Sequence, residues 1–337
     1  MFKLTPQDEK NLEKLSITLY EQSDYSKENV SGQDAMRKLM YDALGIEQNA
    51  SRREFKRAYD QNKGNMFAVI DIAVNAVMPR VVQNEFDNLA NFHTIGAGDV
   101  PRFRNPNTEL FRVARIASGT QDIRRQTGLA SSYTVPTEWY AAATYVEFEQ
   151  FLTGQVDWQG FIQRIAQSFA LHISETIYKA FIDSYNSVGA NVKSTGAFDI
   201  DTLLQLVRHV RAQSGGSDVT VYTTATTLAK ISRALDLSET MKDELNNLGF
   251  LSVINGIQFA AFPDLYKAGT EEFLVKDDAL LIIPTGEKIV DVVFEGETYT
   301  YETESSESSS LQMDFKTEKK LGIQVNQSAI YGYYSVI

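Results

Sequence analysis

The sequence contains one pair of carboxylates at a spacing that could support acid–base chemistry. Glu147 and Glu149 lie two residues apart in an alternating stretch, residues 143–151, that predicts a β-strand. On a strand they would share one face, about 6.6 to 7 Å apart at the backbone, which is compatible with a carboxylate-dependent hydrolase acting on sugars. A solvated or ion-paired strand face is the alternative interpretation of the same pair, and we favour it.

Other residue types that carry chemistry are scarce. The chain has no cysteine, which excludes disulfides, thiolate metal sites and cysteine nucleophiles. The three histidines are His93, His172 and His209, and they fall on different predicted elements. We expect no metal site, and we expect His172, which has apolar neighbours in a predicted helix, to be a core or interface residue.

The known nucleotide and hydrolase motifs are also missing. The chain has no GxxxxGK[ST] phosphate loop, no GxSxG elbow and no HExxH zinc helix. Gly96 and Gly98 begin like a dinucleotide-binding fingerprint, but Pro101 follows where a helix should open. We therefore expect no cofactor and no enzymatic activity.

The composition is that of an ordinary globular protein with an acidic surface. Of the 337 residues, 43% are hydrophobic and 23% are charged, and the net charge of −12 does not favour nucleic-acid binding by bulk electrostatics. The first 15 residues are too charged for a signal peptide. The most apolar stretch, residues 66–78, is shorter than the roughly 20 residues that span a bilayer. These features predict a protein made in a cytoplasm, with no membrane partner.

The first 64 residues predict three short helices. Thr5 before a proline and Ser51 three residues before Glu54 are start signals, and Gly45 and Gly64 are plausible stops. Acidic and basic residues nearly cancel in this region. We interpret these helices as an arm that docks on another surface rather than a domain with its own core.

The strongest helical signal lies in the middle of the chain. Apolar residues recur every four positions from Phe161 to Phe181, which predicts a helix over 157–185, on the order of 40 Å long. Mixed helices and strands follow from Asp199, a predicted helix cap. Long alternating strands are predicted over 288–301 and 312–325, and the chain ends in a tyrosine-rich strand.

Two segments have opposite charge. Glycines and prolines punctuate residues 95–138, which predicts a long, two-stranded excursion. Before Glu138 this excursion has a local balance of +3, because three acidic residues are set against six arginines: Arg102, Arg104, Arg112, Arg115, Arg124 and Arg125. Residues 271–307 have a balance of −9, and their candidate counter-surface comprises Glu271, Glu272, Asp277, Asp278, Asp291, Glu295 and Glu297. The two segments could pair within one chain or between neighbouring copies. A long loop has little to bury against alone, so we expect a partner for it.

The order of these parts resembles the major capsid proteins of tailed double-stranded DNA bacteriophages, which have the Hong Kong 97 fold. The resemblance covers roughly residues 66–337. Three stretches add to it: VTVYTTATTLAKISRALD (219–236), GFLSVINGIQFAAFPDL (249–265) and KKLGIQVNQSAIYGYYSVI (319–337). They are similar to the strand and helix of the family's axial domain, to its segment near the capsomer centre, and to its closing strand.

The resemblance implies an α+β, Hong Kong 97-type capsid fold. It would comprise an N-terminal helical arm (1–65), an extended loop (96–138), an axial domain (199–285), and a peripheral domain (66–95, 139–198 and 286–337) that contains the spine helix (about 157–185). Channels through the shell, if present, would be lined near residues 236–247.

The resemblance also implies a function. Copies of the chain would form hexamers and pentamers that close into an icosahedral shell around phage double-stranded DNA. The shell would be assembled in the host bacterial cytoplasm and become part of the virion. The family's extended loop lies over a neighbour's peripheral domain, so the six arginines are expected inter-subunit contacts.

The same resemblance implies several partners. They are the chain itself, a portal, a scaffold or cement or decoration protein, and packaged DNA in nonspecific contact.

One departure and three alternatives accompany this interpretation. Some family members join their subunits by an isopeptide bond from a loop lysine, but no lysine occurs between Lys63 and Lys179, so we expect a non-covalent shell. The nearest alternative is an encapsulin, a bacterial protein compartment with the same fold. The carboxylate-dependent hydrolase and a phage tail or connector protein are the others.

Overall fold

The structure is a computed structural model with an α+β fold. It describes residues 5–21, 32–47, 50–105, 111–116, 125–126, 131–147, 158–186, 188–233, 243, 245–247, 249–267, 269–275, 277, 279–302, 312–326 and 330–336. The α-helices with assigned bounds are α1 (Pro6–Tyr20), α2 (Gly32–Leu44), α3 (Arg52–Phe86), α4 (Trp158–Asp183), α5 (Ile200–Gln213) and α6 (Ala225–Arg233). Two short 3₁₀ helices span Ser184–Asn186 and Ala190–Val192.

The strands fall into three sheets. Their bounds are β1 (Ala90–Ile95), β2 (Arg102–Asn105), β3 (Ser131–Thr134), β4 (Glu138–Glu147), β5 (Lys193–Gly196), β6 (Val219–Thr224), β7 (Val253–Ile254), β8 (Ile257–Phe262), β9 (Ala279–Pro284), β10 (Val290–Glu302), β11 (Gln312–Val325) and β12 (Gly332–Val336). The sheet orders are β1-β10-β11-β4, β5-β12-β9-β6-β8-β7 and β2-β3.

The amino-terminal helices begin at the predicted signals. The Thr5 backbone N–H donates to the Asp8 carboxylate at 3.0 Å, and the Asp8 N–H donates back to the Thr5 hydroxyl at 3.3 Å. Ser51 makes the same capping box with Glu54 at the start of α3. Gly45, with φ +70°, directly follows α2, where a left-handed residue commonly ends a helix. These start signals and this stop are confirmed.

The third helix is longer than predicted. Gly64 does not end it, and α3 continues through Gly64 and Pro79 to Phe86. A glycine inside a helix costs about 1 kcal/mol relative to alanine, whereas each large apolar side chain that becomes buried contributes about 1.5–3 kcal/mol. Met66 and Ile70, just beyond Gly64, are fully buried. The predicted helix stop at Gly64 is therefore wrong, and the predicted boundary between arm and body at residue 65 lies within one continuous helix.

The core is continuous across helices and sheets. Helix α4 packs against α3, with the Phe86 and Tyr178 rings 5.7 Å apart, and Tyr178 reaches Phe262 of the six-stranded sheet at 4.9 Å. On its other side α3 meets the four-stranded sheet, where the Phe67 and Phe315 rings lie 5.7 Å apart. The arm helices belong to the same buried cluster through residues such as Leu12, Leu15, Met36 and Met40. The arm is thus docked on α3 and α4 of its own chain.

The long α3 also passes a simple test for membrane spans. Its stretch Arg53–Gln83 is long and apolar enough, by length and composition only, to cross a bilayer. More than half of the most apolar window in this stretch is buried inside the fold, as in the core helix of a globular protein. This property is therefore weak evidence for a membrane span.

The four-stranded sheet combines strands that are far apart in sequence. β1 runs parallel to β10, and β10, β11 and β4 are antiparallel to their neighbours. β4 begins at Glu138, five residues before the predicted strand over 143–151, so the extended excursion leads directly into it. Side chains that alternate along β11 are buried beneath the helices, where Phe315 contacts both α3 and α4; they are Phe315, Thr317, Lys319 and Leu321.

The six-stranded sheet combines strands from two of the predicted domains. β12 pairs with β9 and with β5, so both β12 and β5 share a sheet with β6 and β8. The prediction placed β12 and β5 with the peripheral domain, whereas β6, β8 and β9, to which this sheet joins them, belong to the predicted axial domain. Gly332 permits the pairing because a Cβ at this position would lie 3.2 Å from the Ile282 Cβ.

Candidate interaction surface

The extended loop begins and returns as a short two-stranded ribbon. β2 and β3 pair antiparallel, with Phe103 opposite Tyr133. The Phe103 ring packs 4.8 Å from the His93 ring and 5.6 Å from the Tyr133 ring, which anchors the ribbon to β1. Strand alternation turns the neighbours Arg102 and Arg104 to the opposite side, where both are exposed. The ribbon therefore presents two guanidinium groups to solvent.

The described outer part of the loop is exposed and combines apolar side chains with cations. In residues 111–116, Phe111, Val113 and Ile116 are 60%, 98% and 48% exposed. The Gln126 side-chain amide bonds to both the N–H and the C=O of Arg112, each at 2.9 Å, which holds two passes of the loop together. Arg112, Arg115 and Arg125 are exposed as well.

The predicted arginine cluster is therefore open to solvent wherever the structure describes it. Arg102, Arg104, Arg112, Arg115 and Arg125 have no ion-pair partner among the described residues, and Arg124 lies outside them. A surface that combines exposed apolar groups with unpaired cations is typical of a contact with another molecule. The geometry supports no catalytic role for these arginines.

Two of the predicted acidic residues lie beneath the base of the same chain's loop. Asp291 and Glu295 are each only 4% exposed. The Asp291 carboxylate accepts a hydrogen bond from the Tyr133 hydroxyl of β3, and it contacts the Asn91 amide and the His93 Nε2 at 3.3 Å each. Burial is the main cause of a raised pKa at the Tyr133 hydroxyl. Asp291 is thus engaged within its own chain.

The Glu295 carboxylate makes three hydrogen bonds around the loop base. It accepts from the Lys320 Nζ at 2.8 Å, from the Gly98 N–H at 2.9 Å and from the Thr137 hydroxyl. The hydrogen bond from Lys320 is the largest cause that lowers the pKa of Glu295 to about 2. Glu295 is therefore ionised at any physiological pH and joins the beginning of the loop to its end.

The other predicted acids are dispersed over different elements. Glu271 and Glu272 are exposed in the turn that connects Tyr266 to Phe273. The rings of Tyr266 and Phe273 stack with their centroids 4.8 Å apart. Asp277 accepts from the Thr224 hydroxyl at 2.5 Å beside the start of α6. Glu297 is exposed on β10, and Asp278 lies outside the described residues. The predicted acidic counter-surface is therefore not one continuous patch in a single chain.

Sequence reasoning missed an exposed aromatic face on the four-stranded sheet. We call Trp139 and Tyr145 of β4 together with Tyr299 and Tyr301 of β10 the aromatic face; these side chains are 40% to 65% exposed. The Trp139 and Tyr299 rings lie 6.2 Å apart. The alternation of tyrosines at 299 and 301 was visible in the sequence. Which side of the sheet they occupy depends on non-local pairing, so the sequence alone could not show it.

The aromatic face carries charge at its centre. The Tyr301 hydroxyl donates to Glu318 at 2.8 Å, and the Lys316 Nζ lies 2.5 Å from the same carboxylate and 5.7 Å from the Tyr301 ring centroid. The hydrogen bond from Lys316 is the largest cause of a lowered pKa at Glu318. On the same side of the sheet the base of the loop covers the region of Asp291 and Glu295, whereas the aromatic face is left uncovered.

A cleft of about 500 Å³ opens on the inner side of this sheet. Glu9, Asp71, Glu297 and Lys319 are among its lining residues. Burial is the largest cause that raises the pKa of Asp71 to about 7, and burial also lowers the pKa of Lys319 to about 8. The described residues contain no group of three or more acidic, histidine or cysteine side chains arranged to hold a metal ion.

The candidate catalytic residues form no active site in the described part of the chain. Glu147 ends β4, opposite Gln312, and Glu149 lies outside the described residues. His172 packs its ring 4.6 Å from Tyr140, between α4 and β4, which matches the core role expected from the sequence. His93 contacts Asp291 at the loop base instead of lining a cleft.

Comparison with protein families identifies one match along almost the whole chain. The family model described as "SPbeta prophage-derived putative capsid protein YonB" matches residues 3–335. No curated protein sequence matches the chain.

Several solved structures that share this fold are phage or phage-like capsids. The mature capsid of bacteriophage PhiM1 is 12% identical with a TM-score of 0.50, covering 74% of this chain and 86% of that one. The procapsid of satellite phage P4, solved with its size determination (Sid) protein, is 10% identical with a TM-score of 0.51 and coverages of 77% and 89%. The empty GTA particle capsid is 13% identical with a TM-score of 0.50 and coverages of 76% and 89%. These similarities establish the fold.

Proposed function

The chain belongs to the YonB family of prophage-derived capsid proteins, and we propose that, as a major capsid protein, it assembles with copies of itself into an icosahedral shell around phage double-stranded DNA. The single observation that carries this proposal is the family match over residues 3–335. Hexamers and pentamers are the capsomers of this shell. The protein then acts by binding its own copies, a structural role without a catalytic step.

The extended loop is the element that reaches a neighbouring copy. Its exposed side chains include Phe111, Val113 and Ile116, and exposed apolar groups of this kind gain free energy when a partner covers them. Arg112 and Arg115 lie between them in the sequence and lack ion-pair partners within the described residues. A partner surface must therefore offer both apolar area and negative or π-electron density.

The aromatic face of the four-stranded sheet meets both requirements. Its tryptophan and tyrosine rings provide apolar area, and ring faces attract guanidinium groups within about 6 Å. Glu318 adds a carboxylate at its centre, although Lys316 of the same chain already pairs with it, so the ring faces are the main attraction for the arginines. We place the loop of one copy on the aromatic face of the next, so that cation–π contacts and burial act together. Tryptophan, tyrosine and arginine are also the residue types that dominate binding energy in protein interfaces.

The predicted acidic residues divide into two roles. Asp291 and Glu295 hold the loop base within one chain, as their burial and bonding indicate. Glu271, Glu272 and Glu297 are exposed and remain candidates for contacts with the arginines of another copy. Exposed ion pairs contribute little affinity, typically below 1 kcal/mol, so these acids would act mainly on the orientation and specificity of association.

The shell has partners besides the chain itself. A portal, and a scaffold or cement or decoration protein, complete it, and packaged DNA touches its inner side without sequence specificity. Because the subunit has a net charge of −12, it does not attract phosphates strongly, and the closed shell itself retains the DNA. We place assembly in the host bacterial cytoplasm and the finished protein in the virion.

Charge reversal in the loop tests this function. We expect the double variant R112E/R115E to fold as a monomer with the wild-type circular dichroism spectrum and to lose at least tenfold in shell yield, measured by sucrose-gradient sedimentation and electron microscopy. Reversal replaces two cations at the contact with two anions, which the negative faces of the aromatic rings do not attract.

The matched control is R112K/R115K, which keeps both charges at the same positions. We expect it to retain most of the shell yield, because a lysine also supplies a cation to a ring face. Normal shells from R112E/R115E, in size and amount, would contradict the proposed role of the loop.

A further inference from the structure

The longest interruption in the four-stranded sheet lies where the extended loop leaves it. β10 and β11 pair regularly up to Glu295, opposite Lys320, and again from Tyr299, opposite Glu318. Three residues of β10, 296–298, thus stand against one residue of β11, Lys319, and form a β-bulge. Gly296, at φ +65°, supplies the left-handed conformation that such a bulge requires.

On its outer side the bulge is tied to both ends of the loop. The Glu295 carboxylate accepts hydrogen bonds from the Gly98 N–H at 2.9 Å and from the Thr137 hydroxyl. Gly98 precedes the first strand of the loop ribbon and Thr137 follows the second, so one carboxylate connects the outgoing and returning chain. The Lys320 Nζ, at 2.8 Å, keeps this carboxylate in place.

On its inner side the bulge is tied to α3. The buried Lys319 Nζ donates to the Gly296 carbonyl at 2.8 Å and to the Asn75 Oδ1 at 2.9 Å. The same Asn75 oxygen accepts from the N–H and the hydroxyl of Thr298, at 3.1 and 2.7 Å. Because Asn75 belongs to α3, these bonds fix the bulge relative to the longest helix of the molecule.

Without these bonds the loop base has freedom to pivot. Gly96 and Gly98 lie at its outgoing end, and Gly98 has φ +86°, a conformation that is available chiefly to glycine. A loop on a flexible base samples many exit angles. Charge-assisted hydrogen bonds to a buried carboxylate are about twice as strong as neutral ones, so Glu295 opposes this pivoting most strongly.

We propose that Glu295 is a positioning residue that fixes the angle at which the extended loop leaves the body, and that the bulge transmits the position of α3 to that angle. The effect on assembly rests on the proposed function: a loop that reaches a neighbour sets the angle between subunits and therefore the curvature of the shell. The angle itself is a property of the single chain and can be measured without assembly.

The absence of native cysteine makes a distance measurement straightforward. Val113, in the loop, and Gln167, on α4, are both exposed, so V113C/Q167C accepts two nitroxide labels without other labelled sites. Pulsed electron paramagnetic resonance on unassembled subunits then reports the distribution of loop-to-body distances. We expect one narrow distribution in the labelled parent and a distribution at least twice as wide when E295Q is added.

The matched control is E302Q on the same strand. Glu302 also pairs with a lysine, Lys63 at 2.5 Å, but it lies at the C-terminal end of β10, away from the bulge and the loop base. We expect E302Q to keep the narrow distribution. T137V, which removes only the neutral hydroxyl donor, is the second loop-base variant and should broaden the distribution less than E295Q.

The outcomes separate this inference from the proposed function. An E295Q distribution as narrow as that of E302Q, in subunits with unchanged circular dichroism, would overturn the positioning role. If E295Q does not fold, T137V decides, because an unchanged distribution in T137V would overturn the inference as well. Electron microscopy of the same variants is the separate readout: the positioning role predicts irregular or open shells from E295Q, whereas a wild-type protein that forms no shells contradicts the proposed function alone.

Discussion

Asp71 is a carboxyl group that should destabilise the folded subunit at neutral and alkaline pH. It lies on α3 above the inner cleft, and its buried Oδ1 has no hydrogen-bond partner in the described part of the protein. Burial raises its pKa from 3.8 to about 7, opposed in part by Thr300 and increased by the negative charge of Glu297. The substitution D71N removes the charge and keeps the shape of the side chain.

The sign and size of the effect follow from the linkage between protons and folding. A raised pKa means that the folded state binds more protons than the unfolded state between about pH 4 and pH 7, so stability falls as the pH rises through that window. A shift of about 3 pKa units corresponds to about 4 kcal/mol, which is an upper bound. Asp71 is only partly buried and local relaxation reduces the penalty, so we expect D71N to gain roughly 1–3 kcal/mol at pH 8. At pH 4.5 native Asp71 is protonated, and the gain should be near zero.

Urea unfolding of unassembled subunits, followed by tryptophan fluorescence at pH 4.5 and pH 8, measures this difference. The chain has two tryptophans as reporters. The control is D60N, at an exposed carboxylate of the same helix, which should shift the unfolding midpoint little at either pH. A D71N subunit that is less stable than wild type at pH 8, or that gains equally at both pH values, would refute this reasoning.

Two further perturbations test the environment of the bulge and the loop base. Burial lowers the pKa of Lys319 from 10.5 to about 8, so the folded state binds fewer protons than the unfolded state between those values. From pH 8 to pH 10.5 the stability of wild type should therefore rise relative to that of K319M, by at most about 3 kcal/mol, in urea titrations. Equal changes in the two proteins would contradict this prediction. In G322A the added Cβ would lie 2.2 Å from the Pro136 carbonyl oxygen, so the loop base must move. Thermal unfolding should show that G322A loses about 2 kcal/mol or more of unfolding free energy. The control A141G, at an exposed position of β4, should lose less.

Local signals in the sequence predicted those elements that local interactions determine. The capping boxes at Thr5 and Ser51 start helices because the cap bonds form within one turn. The four-residue apolar spacing predicted the helix that the structure places at Trp158–Asp183. Strand β11, Gln312–Val325, has the predicted bounds because one of its faces is buried along most of its length.

The errors arise where contacts between distant parts of the chain decide the outcome. Gly64 is a helix stop by local propensity, but burial of the residues beyond it keeps α3 continuous. The sheet that contains β12 depends on pairing with β9, about fifty residues earlier, which alternation alone cannot reveal.

In the candidate site, too, local signals predicted some features and contacts between distant residues decided the others. The sequence predicted that the loop arginines contact a neighbouring copy; the structure places five of the six at the surface, and the contact itself stays a prediction. Asp291 and Glu295 have the same residue type and strand spacing as exposed acids, yet the loop base covers them, and only the tertiary fold shows that. The aromatic face needed the register of three strands to become visible.

The most direct test of the central claim is electron microscopy of the purified full chain, with nuclease-protected nucleic acid assayed in the same sample. For protein isolated from phage particles, this account predicts closed icosahedral shells with protected double-stranded DNA; for the chain expressed alone, it predicts shells or isolated hexamers and pentamers. Shells that enclose protein cargo and no DNA would indicate an encapsulin-type compartment instead. A monodisperse monomer or dimer at high concentration, with and without candidate scaffold proteins, would contradict the assignment of the chain as a shell protein.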